Sequence, residues 1–273
     1  MKLITKLAAG LALTTPLMIA PIVLAEAPAE KAASDGGRGL EIAKDRKSRD
    51  IGWGDSQADM TMILRNSQGE TSERKMRLKN LEVMDDGDKG LTIFDEPKDV
   101  SGTAFLSFSH IDKADDQWLY LPALKRVKRI ASRNKSGPFM GSEFAYEDMS
   151  SFEPEKYTFN YLRDEPCATD MSCHVIESDP VDEFSGYTRQ ITWLDTEHLR
   201  PVKTEYYDRK NSLLKTLEMS EWHEYKGKYW RAALMQMQNH QNGKSTTIIT
   251  HEIRFDTGLT DADFSKAALQ RAR

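Results

Sequence analysis

Residues 213–255 read LLKTLEMSEWHEYKGKYWRAALMQMQNHQNGKSTTIITHEIRF, three long runs joined by KGK at 226–228 and QNGK at 241–244. Asn242-Gly243 is a strong hairpin signal, because both central residues of such a turn need positive φ angles. In the last run Ile249, His251, Ile253 and Phe255 alternate with polar neighbours, the two-residue period of a strand with one buried face. The same period appears far upstream, where Ala58, Met60, Met62 and Leu64 alternate with Gln57, Asp59 and Thr61. NSQGE at 66–70 and DDGDKG at 85–90 are turns, and further strand-like runs follow up to PVKTEYYD at 201–208. About a dozen strands in sequential hairpins, without crossover helices, predict one antiparallel sheet. A sheet that wide must curl, split or close. Helices are expected only at GLEIAKDRKSRD (39–50), capped by Ser34 or Asp35, and at LTDADFSKAALQ (259–270), capped by Thr260. No linker interrupts the middle of the chain, so residues 35–273 read as one mainly β domain.

The N-terminus sets the expected compartment. Lys2 and Lys6 precede an apolar run from Leu7 to Leu24, and Val23 and Ala25 stand where a signal peptidase reads small residues. Residues 1–25 are therefore read as a cleaved signal peptide, 26–34 (EAPAEKAAS) as a flexible tail, and the mature protein as periplasmic. Pro16 and Pro21 interrupt the run, which argues against an uncleaved anchor, and no cysteine lies near the junction to accept lipid. Loss of the leader removes two lysines and makes the formal net charge of −5 two units more negative. Such acidity argues against a nucleic-acid partner. Cys167 and Cys173 are the only cysteines. In an oxidising compartment their proximity predicts a small disulfide loop. With His174 they make an incomplete set for zinc, so neither metal nor cofactor is expected.

Catalytic signatures are absent. His110, His174, His198, His223, His240 and His251 are scattered, and no metalloprotease, nucleophile-elbow or phosphate-loop pattern occurs. No catalytic residue is assigned, and the chain is not expected to be an enzyme. The apolar residues say more. Met60, Met62 and Leu64, then Met235, Met237 and Ile249, are candidates for the lining of a cavity, because flexible thioethers adapt to ligands of variable shape; ordinary core is the competing reading. A curled sheet with two short helices has more concave apolar face than the helices cover, and such spaces commonly hold ligands.

One stretch stands out against the acidic background. LYLPALKRVKRIASRNK (119–135) passes from an apolar strand into a basic run containing Lys125, Arg126, Lys128 and Arg129. The run is either a charged sheet edge that resists aggregation or a docking surface for an anionic membrane or a membrane partner. SGPFMGSEFAYEDMSSF (136–152) follows, a loop carrying Phe139, Met140, Phe144 and Tyr146. Four large apolar groups in one loop are either tucked over the sheet as a lid or displayed to a partner.

WLYLPALKRVKRI (118–130), GPFMGSEFAYEDM (137–149), YYDRKNSLLKTLEM (206–219) and ITHEIRFDTGLTDADFS (249–265) together resemble the outer-membrane lipoprotein-sorting family, the longer relatives of LolA. The resemblance runs from about Leu40 to Leu269. It implies a single antiparallel sheet curled into an incomplete half-barrel, with helices closing its mouth around a cavity for acyl chains. It further implies a carrier of lipoprotein or lipid between inner and outer membrane, working with an inner-membrane exporter of the resistance-nodulation-division class; a monomer is expected. An accessory subunit of such an exporter, with a packed interior and no cargo, is the alternative.

Overall fold

The computed structural model describes residues 35–168 and 170–271; the expected signal peptide and tail lie outside them. The first strands are β1 (Asp55–Arg65), β2 (Thr71–Leu81), β3 (Lys89–Glu96), β4 (Ala104–Phe108), β5 (Asp116–Leu121) and β6 (Arg126–Ile130). After a long connection come β7 (Tyr157–Ala168), β8 (Met171–Pro180), β9 (Tyr187–Asp195), β10 (Pro201–Asp208), β11 (Leu213–Tyr225), β12 (Tyr229–Asn239) and β13 (Ser245–Phe255). All thirteen form one antiparallel sheet in the order β6-β5-β4-β3-β2-β1-β13-β12-β11-β10-β9-β8-β7. Two sequential meanders are thus welded where β1 meets β13. β6 and β7 are the two edges and do not pair, so the sheet stays open. The single antiparallel sheet expected from the turn pattern, left unclosed as the family resemblance implies, is what the chain forms.

This topology gives the β6–β7 connection a special task. It must carry the chain from one edge of the sheet to the other, and its residues pack on the inner face. Helix α1 (Gly36–Arg49) lies against β7, burying Ala43 beside Phe159, Ile176 and Leu194. Asp35 caps it, its carboxylate accepting from Arg38 N at 3.0 Å, which satisfies one of the free amides of the first turn. The C-terminal helix is shorter than expected. Phe264 (2% exposed) turns into the cluster formed by Leu91, Ile93, Leu106 and Trp118. That separates a single turn at Asp261–Asp263 from α2 (Lys266–Arg271), which Ser265 starts afresh by accepting from Ala268 N at 3.0 Å.

Cys167 and Cys173 form the expected disulfide across the β7–β8 hairpin, with Cα atoms 5.8 Å apart. It closes a short loop and so constrains the unfolded chain only modestly, by about 2 kcal/mol. No helix among the described residues is long and apolar enough to cross a membrane.

Candidate functional site

The inner face has two parts that the chain treats differently. On the first, register places Met62 opposite Ile248 and Arg74, Met60 opposite Met76 and Thr250, and Met235 opposite Met219 and Ile248. Directly opposed residues share a face, so Met60, Met62, Leu64, Met235 and Met237 converge there. Ile249 does not join them. It pairs with Thr61 and Leu234 on the opposite face, and Ile248 takes the inward position. The cause is a bulge: register shifts between Asp59 and Met60, leaving His251 as an extra residue on β13. One extra residue inverts the inward alternation, so Ile253 and Ile249 face opposite sides.

The 136–152 loop covers this methionine face. Phe139 (0% exposed) and Phe144 (5%) are buried in one cluster with Met62, Met76, Phe94 and Met237. Met140 and Tyr146 pack against that cluster. The Phe139 ring meets Phe105 at 5.1 Å and Tyr146 at 5.6 Å, both edge-on. Met140 adopts φ 51°, and Gly141 follows at φ 78° where a side chain would be strained. The loop is latched by polar groups as well. Arg74 donates to the Met140 carbonyl, and Glu143 N donates to Thr246 Oγ1 at 3.0 Å. Lys215 is 3% exposed; its Nζ donates to Asp148 at 2.7 Å and to the Glu143 carbonyl at 2.8 Å. Tyr187 Oη completes the Asp148 shell at 2.8 Å. Here the Met-rich face is filled by the chain's own aromatic loop.

The open space lies on the second part. A cavity of about 800 Å³ sits between the inner faces of β7–β11, the end of the loop and α1, within the size range of small-molecule sites. Phe159, Ile176, Leu217 and Met219 supply its apolar wall, Thr192, Thr204 and Tyr206 its polar one. Burial pushes the Tyr157 hydroxyl up to about 12, with Glu147 and Asp148 adding to it. Burial likewise raises Tyr187 and Tyr206 well above the ordinary phenol value, helped by Asp148. All three are therefore neutral donors at neutral pH. Glu147 is raised chiefly by burial, although it accepts from Ser185 Oγ at 2.7 Å and Gly186 N at 2.8 Å.

The sequence reading missed this half. Its lining is Tyr, Thr, Ser and Gln as much as aliphatic, so no apolar stripe marks it. Lys215 did carry a signal: it shares the parity of Leu217 and Met219, and a lysine on a buried face demands a partner.

The four basic residues are exposed on and beside the edge strand β6. Pairing of Arg126 with Leu121 and of Lys128 with Leu119 puts both on the inner-face side, while Arg129 falls on the other. Arg129 is bound to Asp116 at 2.5 Å, and Lys125 holds the preceding turn at φ 47°. Among the described residues no three His, Cys, Asp or Glu side chains gather to hold a metal.

Comparison with known proteins agrees with this geometry. A family model described as "Uncharacterized protein" matches residues 86–271. The crystal structure of an outer membrane lipoprotein-sorting protein domain from Vibrio parahaemolyticus is 63% identical, with a TM-score of 0.85 over 87% of this chain and 100% of that one. A DUF1329 family protein from Desulfovibrio piger is 28% identical, with a TM-score of 0.80 over 85% of this chain and 98% of that one. A LolA superfamily protein from Nitrosomonas europaea shares the fold at 18% identity, with a TM-score of 0.67 over 84% and 98% of the two chains. No curated protein matches the chain. With its open thirteen-stranded sheet and its loop across the inner face, the chain shares the fold of the LolA superfamily protein, and on its 63% identity to the Vibrio domain it belongs to the outer-membrane lipoprotein-sorting protein family.

Proposed function

We propose that this protein is a periplasmic carrier that shields the acyl chains of a lipoprotein or lipid and moves them between inner and outer membrane together with a membrane exporter. The observation that supports the reading most is the cavity of about 800 Å³ beneath the loop and α1. Its aliphatic and aromatic wall can exclude water from hydrocarbon, at ~0.8 kcal/mol per buried methylene. A chain held that strongly is released only when the walls move, and the 136–152 loop and α1 are walls that can move without breaking the sheet.

Narrowing the cavity tests the reading. Ser178 is 5% exposed and lines the space from β8. Ser178→Trp is expected to weaken binding of a fluorescent fatty acid by about tenfold or more, at an overpacking cost of roughly 1–3 kcal/mol in stability. A folded variant that binds as well as the parent protein would contradict it. An adaptor without cargo is the second reading, favoured by the filled methionine face; it predicts no binding by the parent protein either.

The basic edge is proposed as the docking surface. Lys/Arg near an anionic membrane contribute ~1 kcal/mol each, and an otherwise acidic carrier needs a local patch to approach one. Changing Lys125, Arg126, Lys128 and Arg129 together to Glu is expected to abolish binding to anionic vesicles while leaving affinity for a soluble fatty acid intact. Unchanged vesicle binding at low salt would reduce the run to a solvated edge.

A further inference from the structure

Helix α1 carries five basic residues; three are spoken for and Lys44 is exposed to solvent. Arg38 pairs with Asp164, Lys47 with Glu153 at 2.9 Å and Arg49 with Asp45 at 2.8 Å. Arg46 differs. It is only half-buried along its length, yet its guanidinium lines the cavity, with its central carbon 4.2 Å from the centre of the Phe152 ring. Among the described residues it makes no ion pair. Asp50, one turn on, is committed to Arg231 at 2.7 Å. The other cations at the cavity wall are placed differently: Lys135 is held by Asp182 at 2.6 Å, Lys156 by Asp115, and Lys113 is exposed.

A guanidinium partly withdrawn from water without a carboxylate partner is costly. The cost shows in its proton affinity: burial lowers Arg46 to about 10, against the opposing pull of Asp50, Tyr206 and Tyr157. Even so it is fully charged at neutral pH. The two tyrosines beside it are neutral and can donate their hydroxyl protons. A planar cation with two phenols in its field, at the edge of a cavity whose wall combines apolar side chains with polar and acidic ones, can pair with an oxyanion attached to hydrocarbon. Arginine meets carboxylate and phosphate oxygens with two parallel N–H donors.

We propose that Arg46 is the anchor for the anionic head group, a phosphate ester or a carboxylate, of an acyl amphiphile whose chain lies along β8–β11. The proposal rests on the carrier reading and narrows its cargo to anionic amphiphiles. It also assigns a polarity to the cavity: the head sits at α1 and the tail runs toward Leu217 and Met219.

The test compares ligands with one chain and different heads: palmitate, hexadecyl phosphate and hexadecanol, each displacing a polarity-sensitive fluorophore, with inorganic phosphate alone as a further probe. The parent protein is expected to bind the two anions at least about tenfold tighter than the alcohol. Arg46→Met keeps the apolar stem and is expected to bring both anions down to the affinity of the alcohol, which itself is unchanged. Arg46→Lys keeps the charge but loses the fork, and is expected to retain part of the preference; it serves also if the methionine variant does not fold. Equal losses for all three ligands would make Arg46 a structural residue and overturn the proposal while leaving the carrier reading in place. Equal binding of all three by the parent protein would overturn it too. Inorganic phosphate binding as tightly as hexadecyl phosphate would show a free-anion site and overturn the amphiphile assignment. Failure of every acyl ligand to bind the parent protein would remove the carrier reading itself.

Discussion

Lys215→Met is expected to lower stability by about 3–5 kcal/mol, the cost of leaving a buried carboxylate without its counter-charge. Lys215 and Asp148 are 4% and 7% exposed in their side chains and 2.7 Å apart. The lysine also donates to the Glu143 carbonyl, and its ammonium lies 5.1 Å and 5.2 Å from the ring centres of Tyr187 and Tyr206. Methionine preserves the apolar stem and removes all of these interactions. Asp148 then keeps only Tyr187 Oη and the Ala145 amide. A chain this size loses about 2–4 °C of Tm per kcal/mol, so thermal unfolding shows a drop of roughly 10 °C. Adding Asp148→Asn removes the stranded charge and is expected to recover part of the loss. An unchanged Tm in the single variant would mean that the latch contributes nothing.

Phe139→Ala is expected to cost a similar amount, about 3–5 kcal/mol, because it empties the centre of the largest cluster. Phe139 is fully buried between Phe94, Phe105 and Tyr146. The two variants are separable by hydrogen exchange. Loss of the phenyl ring unseats the start of the loop, whereas loss of Lys215 frees its later part around Glu143–Asp148. Faster exchange confined to residues 136–152 would identify the loop as the weakest element of the fold, as the proposed release of cargo requires. Protection equal to that of the parent protein would mean that the loop is held by its backbone alone.

How far the sequence reveals this arrangement depends on what each element needs from its neighbours. The strands are legible because alternation and turn residues are local, and Asn242-Gly243 falls in the short loop between the end of β12 at Asn239 and the start of β13 at Ser245, with Gly243 at φ 72°. The inward direction of a given residue is less so. A single bulge beside Asp59 exchanges Ile248 for Ile249, and no local pattern announces it. Phe139 and Phe144 announce a buried loop, but their place over Met62 follows only from the strand order, since the loop joins the two edges of the open sheet. Arg46 is the extreme case. Its neighbours Arg38, Lys44, Lys47 and Arg49 look the same in sequence, and only the packing of α1 on β7 turns one of the five toward the cavity.

The central claim is that the cavity between α1, the loop and β7–β11 carries an acyl chain. Native mass spectrometry of the protein purified without detergent from the cells that make it tests it most directly. The account predicts a population of protein with one bound acyl amphiphile, shifted in mass and stripped by organic solvent, and predicts its loss in Ser178→Trp. Protein that emerges uniformly at its bare mass, and takes up no fatty acid when offered one, would contradict it.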